Sequence, residues 1–147
     1  MIMKKILLFL FLAAGISTQA QIRKIPAAVT ESFKSKYPHA ANVEWKDKLT
    51  AFVANFDEGS AKFEAKFSTK GEWQQTDHAT TEADLPAAVK DGLSKSKYAD
   101  WKANEFYTRD LPGNKTQYRI SVEKSDLQKK NLLFSSEGQL LKDSMTL

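Results

Sequence analysis

One short passage occurs twice in this chain, and that duplication constrains the fold more than any other feature. Pro26-Ala27-Ala28-Val29 opens the first copy and Pro86-Ala87-Ala88-Val89 the second. Each copy runs on to a Ser-Lys-Tyr (Ser35 to Tyr37, Ser96 to Tyr98) and to an acidic residue followed by an aromatic one (Glu44-Trp45, Glu105-Phe106). The copies close with Phe67-Ser68-Thr69-Lys70-Gly71 and Phe134-Ser135-Ser136-Glu137-Gly138. Self-similarity at an offset that widens from 60 residues at the prolines to 67 at Phe67 and Phe134 predicts two like units in place of one long one.

Within a unit the hydrophobic period changes once. Ile25, Val29, Phe33 and Tyr37 recur at four-residue steps, with Ala28 in the same stripe, which predicts a helix with one buried face. Leu85, Val89 and Leu93 repeat the stripe, with Pro26 and Pro86 suited to the first turn and Asp84 placed as a cap. Afterwards the period falls to two. Ala61, Phe63, Ala65 and Phe67 interleave with Lys62, Glu64, Lys66 and Ser68, Phe52, Ala54 and Phe56 form another row, and Tyr118, Ile120 and Val122 answer in the second unit. Turns are expected at Gly59, Gly71, Gly113 and Gly138, and polar residues 77–84 read as a linker. The expected fold is α+β: two tandem helix-plus-four-strand antiparallel units that share one sheet, with both helices on one face.

Residues 1–20 have the layout of a secretory signal peptide: Lys4-Lys5, an apolar core from Ile6 to Ile16, and Thr18-Gln19-Ala20 before cleavage near Ala20/Gln21. That core is about half of the ~20 residues a spanning helix needs, so no membrane span is expected after cleavage. Residues 21–147 then form a single domain of two repeats, about 24–76 and 84–143, in the periplasm or the medium. With no cysteine, stability must come from packing alone. Removing Lys4 and Lys5 from the 22 basic residues leaves 20 against 18 acidic ones, with the signs interspersed, which argues against nucleic acid as a partner.

The hydrophobic-Pro-x-x-Val helix openings, the Tyr at each helix end, the aromatic strand rows and the Phe-x-x-x-Gly hairpins resemble the PepSY-like, β-lactamase-inhibitor-like family of secreted bacterial proteins, over nearly all of residues 25–143. The resemblance implies the helix-plus-four-strand tandem also seen in β-lactamase inhibitory protein, where the open sheet face grips an enzyme. It implies no catalytic residues. That inhibitor is stapled by disulfides, whereas this chain has no Cys.

No nucleophile with a base, paired-carboxylate site or phosphate loop is visible in the sequence, and no cofactor is expected. His39 and His78 lie far apart without short-spaced ligand partners. Asp77, Glu82 and Asp84 lack the alternation of a Ca²⁺ loop and read as capping and solvation, so no metal is expected either. Trp45 and Trp73 fall on buried rows, while Trp101, in the loop after the second helix, is expected at the surface.

Alternation assigns Glu44, Lys46, Lys62, Glu64 and Lys66 to the solvent face of the first unit, and Glu105, Tyr107, Arg109, Gln117, Arg119 and Glu123 to that of the second. Two of the three arginines fall there beside Tyr107, and Arg and Tyr concentrate at interfaces. The expected function is a secreted, non-enzymatic protein-binding module, with Tyr107, Arg109, Arg119, Gln117, Glu123, Lys62, Glu64, Lys66 and Trp101 as candidate contacts for an envelope or extracellular protein. The alternative is an envelope module for a small ligand or ion, with an apolar pocket near Trp101 as its cue.

Overall fold

The computed structural model describes residues 23–146; the expected signal peptide lies outside the described residues. Two helices and eight strands follow one another as α1 (Ala27–Lys36), β1 (Ala41–Asp47), β2 (Ala51–Glu58), β3 (Ala61–Ser68), β4 (Trp73–Thr80), α2 (Ala87–Ser94), β5 (Lys102–Leu111), β6 (Lys115–Ser125), β7 (Gln128–Ser135) and β8 (Leu140–Met145). All eight strands form one antiparallel sheet in chain order, β1 to β8. The fold is therefore α+β, and among the described residues no helix is long and apolar enough to cross a membrane.

Each helix covers a core because its apolar residues recur once per turn. Val29 and Phe33 of α1 are buried against Phe52, Ala54, Phe56, Ala65 and Phe67, and Phe33 meets Trp45, Phe56 and Phe67 edge-on. Leu85 and Val89 are buried with Tyr98, Ile120, Val122, Leu132 and Phe134. Cross-strand pairing sets Phe56, Phe63, His78 and Thr108 in one row and Phe106, Ile120 and Leu132 in the next, which starts two residues away on β5.

Three local readings are corrected. Residues 77–80 belong to β4, where Asp77 pairs with Arg109 and Thr80 with Phe106, so their polarity marks a strand whose partners supply the charge and not a linker. Asp84 does not cap α2. Pro86 holds the N-cap position, and Asp84, two residues earlier, accepts a hydrogen bond from the Thr81 hydroxyl at 2.6 Å. Ala28 is exposed and not part of the buried stripe; it borders the β3–β4 turn, with its carbonyl against Gly71.

That turn and its counterpart share one geometry. Ser68 N–H donates to the Glu72 carbonyl at 2.8 Å, and Ser135 N–H to that of Gln139 at 2.9 Å. Gly71 and Gly138 both adopt positive φ, +89° and +84°, and both lie against a helix carbonyl, of Ala28 and Ala88 respectively. Only glycine combines that backbone with so close an approach.

The β1–β2 hairpin is fastened differently. The Arg23 guanidinium donates to both Asp47 carboxylate oxygens at 2.5 Å and to the Leu49 carbonyl at 2.7 Å. Asp47 also accepts from Leu49 N–H at 2.9 Å, holding Leu49 at a φ of +66° that is unusual for a branched residue. The Arg23 hydrogen bonds, followed by that backbone bond, lower the Asp47 pKa to about 2. A carboxyl depressed in the folded state stabilises above its unfolded pKa, near 3.9, and loses that contribution as pH falls toward 2. Carboxyl NMR titration should therefore place Asp47 near 2, and Arg23→Ala should return it to the ordinary range. An unchanged titration would mean that Arg23 does not hold it.

Candidate functional site

The alternation that sends Phe63, Ala65 and Phe67 into the core sends Lys62, Glu64 and Lys66 to the other, polar face of β3. The register then lines up partners from later strands: Glu64 opposite Asp77, Asp77 opposite Arg109, Arg109 opposite Gln117, and Tyr107 opposite Arg119. Glu64, Tyr107, Arg109, Gln117 and Arg119 are thus brought together over β3–β6. Lys62 and Lys66 flank them on β3, and Glu123 stands toward the far end of β6, 4.0 Å from Lys129.

Asp77 is the centre of this arrangement. Although it lies on the open face, it is only 5% exposed, because its neighbours fold over it. Arg109 donates to it in a bidentate fork, Nε to Oδ1 and Nη2 to Oδ2, both at 2.7 Å. Arg119 approaches the second oxygen with Nε at 3.7 Å, an ion pair beyond hydrogen-bond length. Its guanidinium stacks on Tyr107, 3.8 Å from the ring centroid, the attraction expected of a cation above an aromatic face. Nearby, turned to satisfy both its groups, the Asn55 amide bridges Glu64 and Lys46 at 3.1 Å each.

Two shallow troughs, about 430 and 410 Å³, open beside the cluster. Glu64, Asp77 and Arg119 border both. Tyr107 and Asn55 continue the first, and Arg109, Asn131 and Lys142 the second. The surface offers charge, forked donors and one aromatic face, a set suited to recognising polar groups on a partner.

Trp101 stands apart from this cluster. It is half-buried, edge-on to Tyr98 at 5.2 Å, and joins the core beneath α2, because the loop after that helix folds its ring inward. Sequence reasoning missed Asp77 as a member of the cluster. Continuing the β4 alternation from Gln75 would have placed it on the open face beside Arg109.

A single eight-stranded antiparallel sheet in chain order with two helices defines the class, an α+β fold. The chain belongs to the family described as "Putative beta-lactamase-inhibitor-like, PepSY-like", which matches residues 50–142. Among solved structures it is similar to a BLIP-like protein from Bacteroides fragilis NCTC 9343, at 26% identity and a TM-score of 0.67, over 81% of this chain and 84% of that one. It is similar also to a DUF2874 family protein from Bacteroides ovatus ATCC 8483, at 25% identity and a TM-score of 0.72, over 81% and 86%. A third structure, described as a "putative periplasmic" protein from Bacteroides eggerthii DSM 20697, has 25% identity and a TM-score of 0.72 over 81% and 87%. No curated protein matches the sequence.

Proposed function

We propose that this chain is an exported, non-catalytic inhibitor-like module that uses the open face of its sheet to bind another protein of the cell envelope or its surroundings. The observation that carries the reading is the Asp77–Arg109–Arg119–Tyr107 cluster. It sets two guanidiniums and an aromatic ring in fixed positions on a broad surface, the residue types in which interfaces concentrate their energy. Export rests on the signal-like residues 1–20, and a periplasmic address is supported by the description of the Bacteroides eggerthii structure.

Two repeats, about 24–76 and 84–143, with both helices over one side of the sheet, complete the proposal. The matched Ser68 and Ser135 turns support the repeats. So do register shifts at corresponding places, Lys66/Phe67 with Leu133/Phe134 and Ala41/Glu44 with Ala103/Glu105. The pairing that leads from Phe56 and Phe63 through His78 to Thr108, two residues along β5 from the Phe106–Ile120–Leu132 row, supports a common side for the helices.

The test is capture from envelope extract of the producing cell on the immobilised protein. A partner held by the wild type should be lost from a Lys66→Glu/Arg119→Glu variant and kept by Lys70→Glu, which lies in the β3–β4 turn. Equal capture by all three would rule out the open face. Arg109→Ala is a poor probe, since it would strip Asp77 of its main counter-ion and disturb the fold itself.

A second reading, binding of a small apolar ligand, is favoured by one observation. A trough of about 510 Å³ between α1 and β1 is lined by Phe33, Tyr37, Pro38, Val43 and Trp45. Thermal shift against apolar envelope metabolites tests it, because a ligand at 100 times its Kd stabilises by about 2.7 kcal/mol. No shift across the panel would sink it.

A further inference from the structure

We infer that the open face is built to receive a carboxylate from an acidic segment of a protein partner, with the Arg119 guanidinium as its receptor. The inference rests on the reading of this face as a protein-docking surface and adds the chemistry of what docks. Arg109 commits two of its donors to Asp77, whereas Arg119 stands 3.7 Å from that carboxylate. Among the described residues, no guanidinium N–H of Arg119 meets an acceptor at hydrogen-bond distance. Around the second trough Asp77 is shared by the two guanidiniums and Glu64 also binds the Asn55 amide, so Arg109, Arg119 and Lys142 set three cations against two carboxylates.

This cation is nonetheless held in place. Its side chain is 23% exposed and its guanidinium carbon sits 3.8 Å above the Tyr107 ring centroid, so much of its ordering precedes binding. A fixed guanidinium with free forked donors matches the two oxygens of a carboxylate. The second trough adds donors around it. Lys142 lines that trough, and Asn131, whose amide oxygen accepts from Ser121 at 2.7 Å, keeps its amide N–H groups for another acceptor. Small-ligand sites enclose most of their occupant, but the second trough is shallow and spans several strands, which suits an extended acidic segment of a protein.

The test is an NMR titration of the ¹⁵N-labelled protein with a blocked peptide of four Gly-Glu repeats, its Gly-Gln equivalent, and free glutarate. The acidic peptide should shift the amides of Tyr107, Arg119, Asn131 and Lys142. The Gln peptide should bind at least ten-fold more weakly, and glutarate more weakly than the acidic peptide. Arg119→Gln and Lys142→Gln should each weaken the acidic peptide, the former ten-fold or more, while Lys70→Gln leaves it within two-fold. All three variants should keep the wild-type fold, as judged by amide dispersion. Absence of binding, equal affinity for the two peptides, or indifference to Arg119→Gln would overturn the inference. Glutarate binding as tightly as the peptide would overturn the protein source of the carboxylate. Should envelope capture depend on Lys66 and Arg119 while the acidic peptide fails to bind, docking on this face stands and the carboxylate inference alone falls.

Discussion

Asp77→Ala should destabilise the protein by about 3–5 kcal/mol, the usual cost of removing one partner from a buried ion pair. At a few degrees per kcal/mol for a domain of this size, the melting midpoint should drop by roughly 10–20 °C. The cause is not the lost bonds alone. Arg109, 19% exposed, would keep its charge with no counter-ion, and Arg119 beside it would turn from a neighbour into a repulsion. Arg119→Gln should cost much less, under about 1 kcal/mol, because its contact with Asp77 is long and partly solvated. Thermal unfolding followed by circular dichroism separates the two. If the variants melted together, Asp77 would not be the anchor of the cluster.

Gly138→Ala should be comparably severe, about 2–5 kcal/mol, from a strained left-handed backbone together with overpacking. At a φ of +84° an added methyl would overlap the Ala88 carbonyl, which is backbone and has no rotamer to change. Gly92 makes the more instructive case. In an exposed helix, Gly→Ala gains about 1 kcal/mol. In α2, however, the methyl of Gly92→Ala would run into the Gly138 carbonyl, so the sign should reverse to a net loss. Denaturant titration of both variants checks this, and a stabilised Gly92→Ala would show that α2 can rise off the β7–β8 turn without cost.

The parts of the fold legible in the sequence were those governed by neighbours along the chain. The Phe63-Ala65-Phe67 alternation, the Val29-Phe33 stripe and the four turn glycines each carry their own period or backbone requirement, and each stands where expected. What escaped depended on residues far away. Asp77 looked like a solvated linker acid because Arg109, 32 residues on, is what buries it. Trp101 looked like a surface residue because its partner is Tyr98 in a loop and not a strand row. Asp84 had the chemistry of a cap but stood two residues too early. Of the candidate contacts, the register gathers Glu64, Tyr107, Arg109, Gln117 and Arg119; their common face follows from alternation, whereas the guanidinium fork on Asp77 could not be seen without β4.

Because the sheet keeps the order of the chain, all but one of its seven strand junctions are hairpins closed by a short turn, and only β4 and β5 must meet across an intervening helix. Low sequence separation between contacting residues favours rapid assembly, since little loop entropy is lost before contacts form. Such a chain can zip up in the order in which it is made, with no early strand left waiting for a late one. That is an advantage for a protein without disulfides, which has no covalent lock to rescue a slow start.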